Sequence, residues 1–428
     1  MTTRARSFRY VGLDVDRDSL SAHYQLDDAA FTEEVTFEGV GALDEAPVRA
    51  VAHLWYLIAG LSYFKAGAPP RIDLGDTPVG PRGRRLLSAA LVDGLAEFSW
   101  RNDLPLTDVE LTGGVEADAH VATLDELRVL TPFGGGIDSV VTVEHLSGEL
   151  DQALFVLSPI GGRFAALEAT AAVTGLDVVR ATRALDSKLL QRTPGFFEGH
   201  VPVTAMVSLL ATVAALASGR GGVVMSNEHS ASAANLRWRE REVNHQWSKS
   251  WVAEQLIGDA IAELVGVGLT NASFLRDRSE VWVAERFSAL IDYHPVFRSC
   301  NRAFAQDAGR RAGTWCGECD KCLFINLMLA PFLSRASLRA IFGAEPLGDP
   351  RRESQLRTLV GIGLDHKPFE CVGDPGESAV ALARVVQLPE WRDDARLGEI
   401  ARLAGPERSL AELLEPEGPS RAPAHWLR

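Results

Sequence analysis

Two clusters of residue types in this chain could do chemistry by virtue of their spacing. The first is "CGECDKC", which sets Cys316, Cys319 and Cys322 at C-x2-C-x2-C, with Cys300 just upstream. Four thiolates so spaced can close a tetrahedral structural zinc site. Two other readings stay open. An iron–sulfur run also begins C-x2-C-x2-C, although its closing Cys-Pro is missing here, and one of the thiols could act without metal. Four of the five cysteines fall in this one segment, which favours metal over disulfides, and structural zinc over the other readings. The second cluster is "TPFGGGIDSV", residues 131–140. Gly134, Gly135 and Gly136 follow an apolar run, and backbone N–H groups in such a loop form an anion nest at the start of a helix. No Lys-Ser or Lys-Thr follows, so the P-loop pattern is excluded. The plainer reading is a tight turn capped by Asp138 or Ser139.

A third stretch, "SNEHSASAANLRWREREVNHQWSKSWVAE" (226–254), carries Asn227, Glu228, Arg237, Asn244, His245, Gln246, Ser248 and Lys249. A solvated helix face is the ordinary explanation of a charge run. The segment "VNHQWSKS" is instead rich in uncharged polar residues. "HPVFRSCNRAF" (294–304) adds His294, Arg298, Asn301 and Arg302. Arginine suits two-pronged contacts to carboxylate or phosphate.

These residues need elements to hold them. From about residue 125 strands alternate with helices. "LRVLTPF", "DQALFVLSP", "LDVVRAT" and "GGVVMSNE" read as strands. Helices begin at "DSVVTVEHL", "RFAALEATAAVTG" and "PVTAMVSLLATVAALASG". That rhythm predicts a doubly wound parallel α/β sheet, with ligands beyond the carboxyl ends of its strands. The glycine loop and "SNEHS" both fall at such ends. Residues 1–120 read as an N-terminal α+β unit with one strand at "EEVTFEGV", a buried helix at 46–66 and a single helix over 81–104. Residues 121–295 form the nucleotide-binding unit, 296–345 a cysteine subdomain and 346–428 a helical C-terminal region. The loop "RTPGFFEGH" (192–200) is a candidate lid.

The bulk composition agrees with a globular enzyme. The 428 residues are 46% hydrophobic and 23% charged, enough for a full core. A net charge of −14 disfavours nucleic acid as a partner. No signal peptide or bilayer-length apolar run is visible, so a cytoplasmic protein with no membrane partner is expected. The sequence leaves the oligomeric state open.

"F-GGGIDS" resembles the Ser-Gly-Gly-x-Asp-Ser signature of the PP-loop ATP pyrophosphatase superfamily, with Gly134 in place of the first serine. The resemblance implies that Gly134, Gly135, Gly136, Asp138, Ser139 and Asn227 hold ATP, and that Asp138 helps place Mg2+. A PP-loop joined to a cysteine cluster is also similar to the deazaguanine nitrile synthases, which adenylate a carboxylate and add ammonia. The fuller series "LIAGLSYFKA", "PFGGGIDSVVTVE", "SNEHSASAANL", "VNHQWSKS", "HPVFRSCNRAF", "WCGECDKC" and "KPFECVG" resembles the UDP-N-acetyl-muramoyl-L-alanyl-L-glutamate epimerase family of peptidoglycan synthesis, over residues 8–375. That resemblance implies inversion of a terminal L-glutamate with ATP and Mg2+. An ionised carboxylate resists loss of its α-proton, whereas a neutral acyl-adenylate accepts the resulting charge as an enolate. His245, Lys249, His294 and Glu228 are then candidate acids and bases. Arg237, Asn244, Gln246, Ser248, Arg298, Asn301 and Arg302 are candidate contacts to the anionic substrate. Cys371 is a further candidate, although a partly buried small apolar residue is the simpler reading of it.

Overall fold

A computed structural model describes residues 4–191, 195–304, 309, 311–363 and 366–427. Three strands open the chain: β1 (Phe8–Val15), β2 (Ser19–Leu26) and β3 (Ala29–Glu38), paired antiparallel in sequence. Their inward positions alternate, as in β2 where Leu20, Ala22, Tyr24 and Leu26 are buried, so one face meets a core. The short strands β4 (Arg71–Asp73) and β5 (Glu110–Thr112) extend that edge. β6 (Asp125–Pro132), β7 (Asp151–Pro159), β8 (Val178–Ala184) and β9 (Arg220–Met225) follow. Next come the hairpin β10 (Leu236–Trp238) and β11 (Arg241–Val243), and finally β12 (Thr270–Ser273).

The principal strands make one ten-stranded sheet in the order β12-β9-β6-β7-β8-β3-β2-β1-β4-β5. From β12 to β8 every pairing is parallel. The chain runs β6, β7, β8 to one side and returns to the other side of β6 for β9 and β12. Strand order therefore reverses between β6 and β9, where a crevice opens. The boundary expected near residue 120 is no break in this sheet. β3 pairs antiparallel with β8 from Glu34–Ala184 to Glu38–Arg180, and the buried Glu33 carboxylate accepts from Arg183 Nε at 2.6 Å.

Successive strand residues feed two cores. Leu130, Phe155 and Val223 face one, and Val129, Leu154 and Val224 face the other. The first is covered by helices Ala46–Gly67, Pro81–Val92, Val203–Ala217 and Trp251–Val265. The second is covered by Ile137–His145, Ala165–Thr174, Glu280–Ser288 and the C-terminal helices from Asp320–Leu329 onward. The helix expected over 81–104 is two, Pro81–Val92 and Ala96–Arg101. The break falls at Gly94, where a Cβ would stand 2.5 Å from the Ala90 carbonyl and 2.9 Å from the Trp247 ring. Turning the chain there brings Glu97 toward the segment carrying His245.

Of the proposed lid, Arg192–Pro194 lie outside the described residues. Its remainder is tied down: Phe197 N–H donates to the Ala66 carbonyl at 2.9 Å, and Lys65 donates to the Gly199 carbonyl at 2.6 Å.

Candidate active site

Three neighbouring parallel strands each deliver a carboxylate to the same space. Asp138 follows β6, Glu228 follows β9 and Glu280 follows β12, and one oxygen of each lies within 4.8 Å of the others. Asp138 Oδ1, Glu228 Oε2 and Glu280 Oε2 are buried and accept no hydrogen bond among the described residues. Burial pushes the Asp138 carboxyl up to about 6; Glu228 adds to the rise, while Lys321 and Lys249 oppose it. Burial, then Glu228 and Asp138, push Glu280 upward as well. Three buried acids with unused oxygens are costly unless a cation joins them. An oxygen-only donor set suits a hard divalent ion such as Mg2+.

The glycine loop opens onto this cluster. Gly136 precedes helix Ile137–His145, and Gly135 has φ +71°, a conformation glycine adopts without cost. A Cβ on Gly136 would stand 2.7 Å from Ser299 Oγ, whereas one on Gly134 would meet nothing within 4 Å. The Gly135 carbonyl accepts from the Arg298 backbone, so segment 298–299 abuts the loop. The plainer reading, a turn capped by Asp138, is not met: Gly136 is the N-cap of the helix and no side chain caps it. Ser139 Oγ donates to the Gly136 carbonyl at 3.1 Å.

Lys249 reaches the carboxylates from the 3-10 turn Trp247–Lys249. Burial lowers its ammonium, but Cys371, Glu228, Asp138 and Glu280 together hold it above the ordinary lysine range. Arg276, almost wholly buried, fixes the surroundings by donating to the Glu254 carboxylate and to the carbonyls of Glu228 and Lys249. Lys321 arrives from helix Asp320–Leu329, and its N–H donates to Glu370 Oε2 at 3.0 Å. Lys367 is 5% exposed and its Nζ has no partner among the described residues.

Beside these lysines lies a second group. His245 Nδ1 is 2.5 Å from Glu97 Oε2, and Arg101 holds the other Glu97 oxygen at 2.6 Å. The ring of His200 lies 4.2 Å from that of His245. Burial would lower His245, but hydrogen bonds with Cys371 and Glu97 raise it to about 9. Burial would raise Cys371, but Lys249 and the His245 hydrogen bond bring it down to about 6. Burial and His245 take His200 down to about 4.

The four clustered cysteines are free of disulfides, and their sulfurs come within 4.8 Å of one another. Cys316–Cys322 and Cys319–Cys322 are 3.6 and 3.5 Å apart. Zinc–thiolate bonds of about 2.3 Å in a tetrahedron require sulfurs about 3.8 Å apart, so the set fits zinc. Cys319 is also the N-cap of the helix that delivers Lys321.

The other expected residues divide. Asn227, Asn244, Gln246 and Ser248 are buried in the same segment. Asn227 is locked to Ser273, its N–H donating at 2.7 Å and its carbonyl accepting at 2.8 Å. Gln246 donates to the Val372 carbonyl at 2.9 Å, and Asn244 to that of Ala231 at 3.0 Å. For Asn244 and Gln246 these are framework roles, whereas Asn227 is held through its backbone. Arg237 is exposed on the β10–β11 hairpin, and Arg302 pairs with Glu318 at the surface. Arg298 turns back to the carbonyls of Pro295 and Phe297. Exposed Asn301 hydrogen-bonds Glu370. His294 packs on Phe287, with its Nε2 3.3 Å from that carbonyl, and makes no recorded contact with the carboxylates. Glu97, His200, Glu280, Lys321 and Lys367 escaped sequence reasoning. Lys321, inside "CGECDKC", Lys367, inside "KPFECVG", and His200, at the end of "RTPGFFEGH", lay in stretches already singled out, though not as site residues.

The comparisons with known proteins bear on the whole chain. Residues 1–274 match the MurL N-terminal domain and residues 296–412 the MurL C-terminal domain. A UDP-N-acetyl-alpha-D-muramoyl-L-alanyl-L-glutamate epimerase of Micromonospora is 38% identical, covering 93% of this chain and 90% of its own length. Enzymes of the same name from Salinispora tropica and Xanthomonas oryzae are 37% and 36% identical. They cover 89% and 99% of this chain, and 84% and 96% of their own lengths. No solved structure matches. No described helix is long and apolar enough to cross a membrane. The chain belongs to the MurL family.

Proposed function

We propose that this MurL-family protein inverts the terminal L-glutamate of UDP-N-acetylmuramoyl-L-alanyl-L-glutamate to D-glutamate during peptidoglycan precursor synthesis, using ATP. Its three relatives carry the name of that epimerase over nearly their full lengths. One observation carries the ATP-dependent part: an acidic cluster with unused oxygens beside a glycine loop, at the reversal point of a parallel sheet. The strand order from β12 to β8 supports a PP-loop type of nucleotide site there.

In this reading the backbone of Gly134–Gly136, with Ser139 and Asn227 behind it, cradles the phosphates of ATP. Asp138, Glu228 and Glu280 hold Mg2+, which when bound offsets phosphate charge during AMP transfer. The glutamate carboxylate oxygen attacks the α-phosphorus of ATP, and the bond from that phosphorus to the departing pyrophosphate breaks. The resulting acyl-adenylate has a neutral carbonyl able to accept the electron pair left when the α-proton departs. Lys249, Lys321 and Lys367 supply positive charge around the developing enolate. Hydrolysis then frees AMP and the D-glutamyl product. The four cysteines hold a structural zinc that fixes the helix bearing Lys321.

The test is incubation with the L-glutamyl substrate, ATP and Mg2+ in deuterated water. D-glutamate carrying α-deuterium, with AMP and pyrophosphate, is expected. Inversion that proceeds without ATP, or ATP cleavage without α-deuterium, overturns the proposal.

A further inference from the structure

We infer that Cys371 is the thiol that exchanges the α-proton on one face of the activated glutamyl residue, and that His245 and Glu97 are the residues that position it. This rests on the epimerase reading. Four observations carry it.

First, Glu97, His245 and Cys371 form a continuous chain of contacts. Arg101 fixes Glu97 and Glu97 holds His245 Nδ1. The residues flanking Cys371 lie against the same segment, with the Phe369 ring 6.4 Å from that of His245 and the Val372 carbonyl accepting from Gln246, which sets the thiol where His245 acts on it. The His245 backbone is pinned too, its N–H donating to Asn235 Oδ1 at 2.7 Å. An imidazole oriented by a carboxylate and aimed at a thiol is the arrangement that makes a thiolate available.

Second, the thiol is placed firmly. Trp100 stacks on Phe369 at 4.7 Å, and the Val372 carbonyl accepts from Gln246. Segment 367–372 is thereby clamped between helix Ala96–Arg101 and residues 244–249.

Third, the surroundings of Cys371 are cationic. Lys249, Lys321 and His245 face it and stabilise the thiolate, and Lys367 feels it. Lys249 and Lys321 also act on Asp138, so the thiol and the carboxylate cluster share the same two cations.

Fourth, Lys367 Nζ is buried and has no hydrogen-bond partner among the described residues; burial lowers its ammonium, and Asp374, Glu228, Cys371 and Glu280 oppose that fall. An unsatisfied buried amine there points to an anionic ligand that arrives from outside. The remaining four cysteines belong to the sulfur cluster, which leaves Cys371 the one thiol outside it.

In the step, the Cys371 thiolate takes the α-proton and becomes a thiol. The C–H electron pair passes into the acyl carbonyl as an enolate. An ammonium of the same pocket returns a proton on the opposite face, and transfer of the thiol proton to that amine restores the starting charges. No oxidant or further reactant is needed.

The test separates activation from inversion. Cys371→Ser should keep substrate-dependent exchange of pyrophosphate into ATP within about threefold of the unaltered enzyme. Its α-deuterium incorporation and inversion should fall about 10²- to 10⁴-fold, the usual contribution of a proton-transfer group. Inversion at the unaltered rate in that variant overturns the inference while leaving the epimerase reading standing. Absence of pyrophosphate exchange in the unaltered enzyme overturns the epimerase reading instead. Should the variant lose both activities, alkylation of Cys371 in the unaltered enzyme decides. Iodoacetamide should label it with a midpoint near pH 6, and substrate with ATP and Mg2+ should block labelling. Unprotected labelling overturns the inference. In Glu97→Gln the alkylation midpoint should move upward, because His245 loses the carboxylate that keeps it protonated; an unmoved midpoint removes Glu97 from the positioning role.

Discussion

At the scale of single residues, the glycine loop separates positions required by backbone from one that is not. Gly135 sits at φ +71° and Gly136 abuts Ser299, while Gly134 faces open space. Gly134→Ser should therefore change stability by no more than about 0.5 kcal/mol and leave ATP–pyrophosphate exchange near its original rate. Gly135→Ala should cost about 1–2 kcal/mol and most of that exchange, as measured by urea denaturation and isotope exchange. Glu377 offers a pH prediction. Its buried carboxylate accepts from the Glu280 and Val281 N–H groups, and burial followed by Asp374 raises it to about 8. Between the ordinary carboxylate range and pH 8 the folded state keeps a proton that the unfolded chain has lost. The stabilisation this gives is full at low pH and fades as pH rises towards 8. Glu377→Gln keeps the acceptor without the charge and should flatten that part of the melting-temperature profile. An identical pH slope in the variant would refute the assignment.

At the scale of elements, β6, β7, β8 and β9 were legible because an apolar stretch in each lies between turn residues, whereas the four-residue β12, Thr-Asn-Ala-Ser, has none and was not foreseen. β7 was expected at residues 151–159 and is found there. β1 and β2 were not foreseen, since their alternating polar residues mark no sheet until a partner is known. The carboxylate trio was legible only for Asp138, in the first turn of the helix after β6, and Glu228, in the loop after β9. Glu280 begins a helix seven residues past β12, where an acidic residue is normal for its favourable dipole alone. Glu97 was hidden by the helix break at Gly94. The cysteine cluster belongs to this scale because it anchors helix Asp320–Leu329. Purified protein should carry about one zinc per chain. Cys316→Ser should lose that metal and destabilise the fold by several kcal/mol, on the order expected for a structural zinc site. Zinc analysis with thermal unfolding checks both.

At the scale of the whole molecule, no one segment owns the site. Glu97 and Asp138 come from the N-terminal third, Glu228 from the middle, and Lys321 and Cys371 from the C-terminal part. Such pooling escapes motif reading because spacing in sequence says nothing about it. The sheet makes it possible by joining the N-terminal strands to the rest. Arg183→Ala would leave the fully buried Glu33 carboxylate unpaired at that join, at a cost of about 3–5 kcal/mol in denaturant titration. Because β3 lies along β8, fluorescence and circular dichroism should report one shared unfolding transition. The same pairing has a bearing on solubility. β8 would otherwise present seven residues of unpaired backbone to any passing chain, while the two true edges, β12 and β5, offer only four and three. The N-terminal strands thus act as a guard against self-association, and a fragment beginning near residue 120 should precipitate instead of behaving as a smaller enzyme.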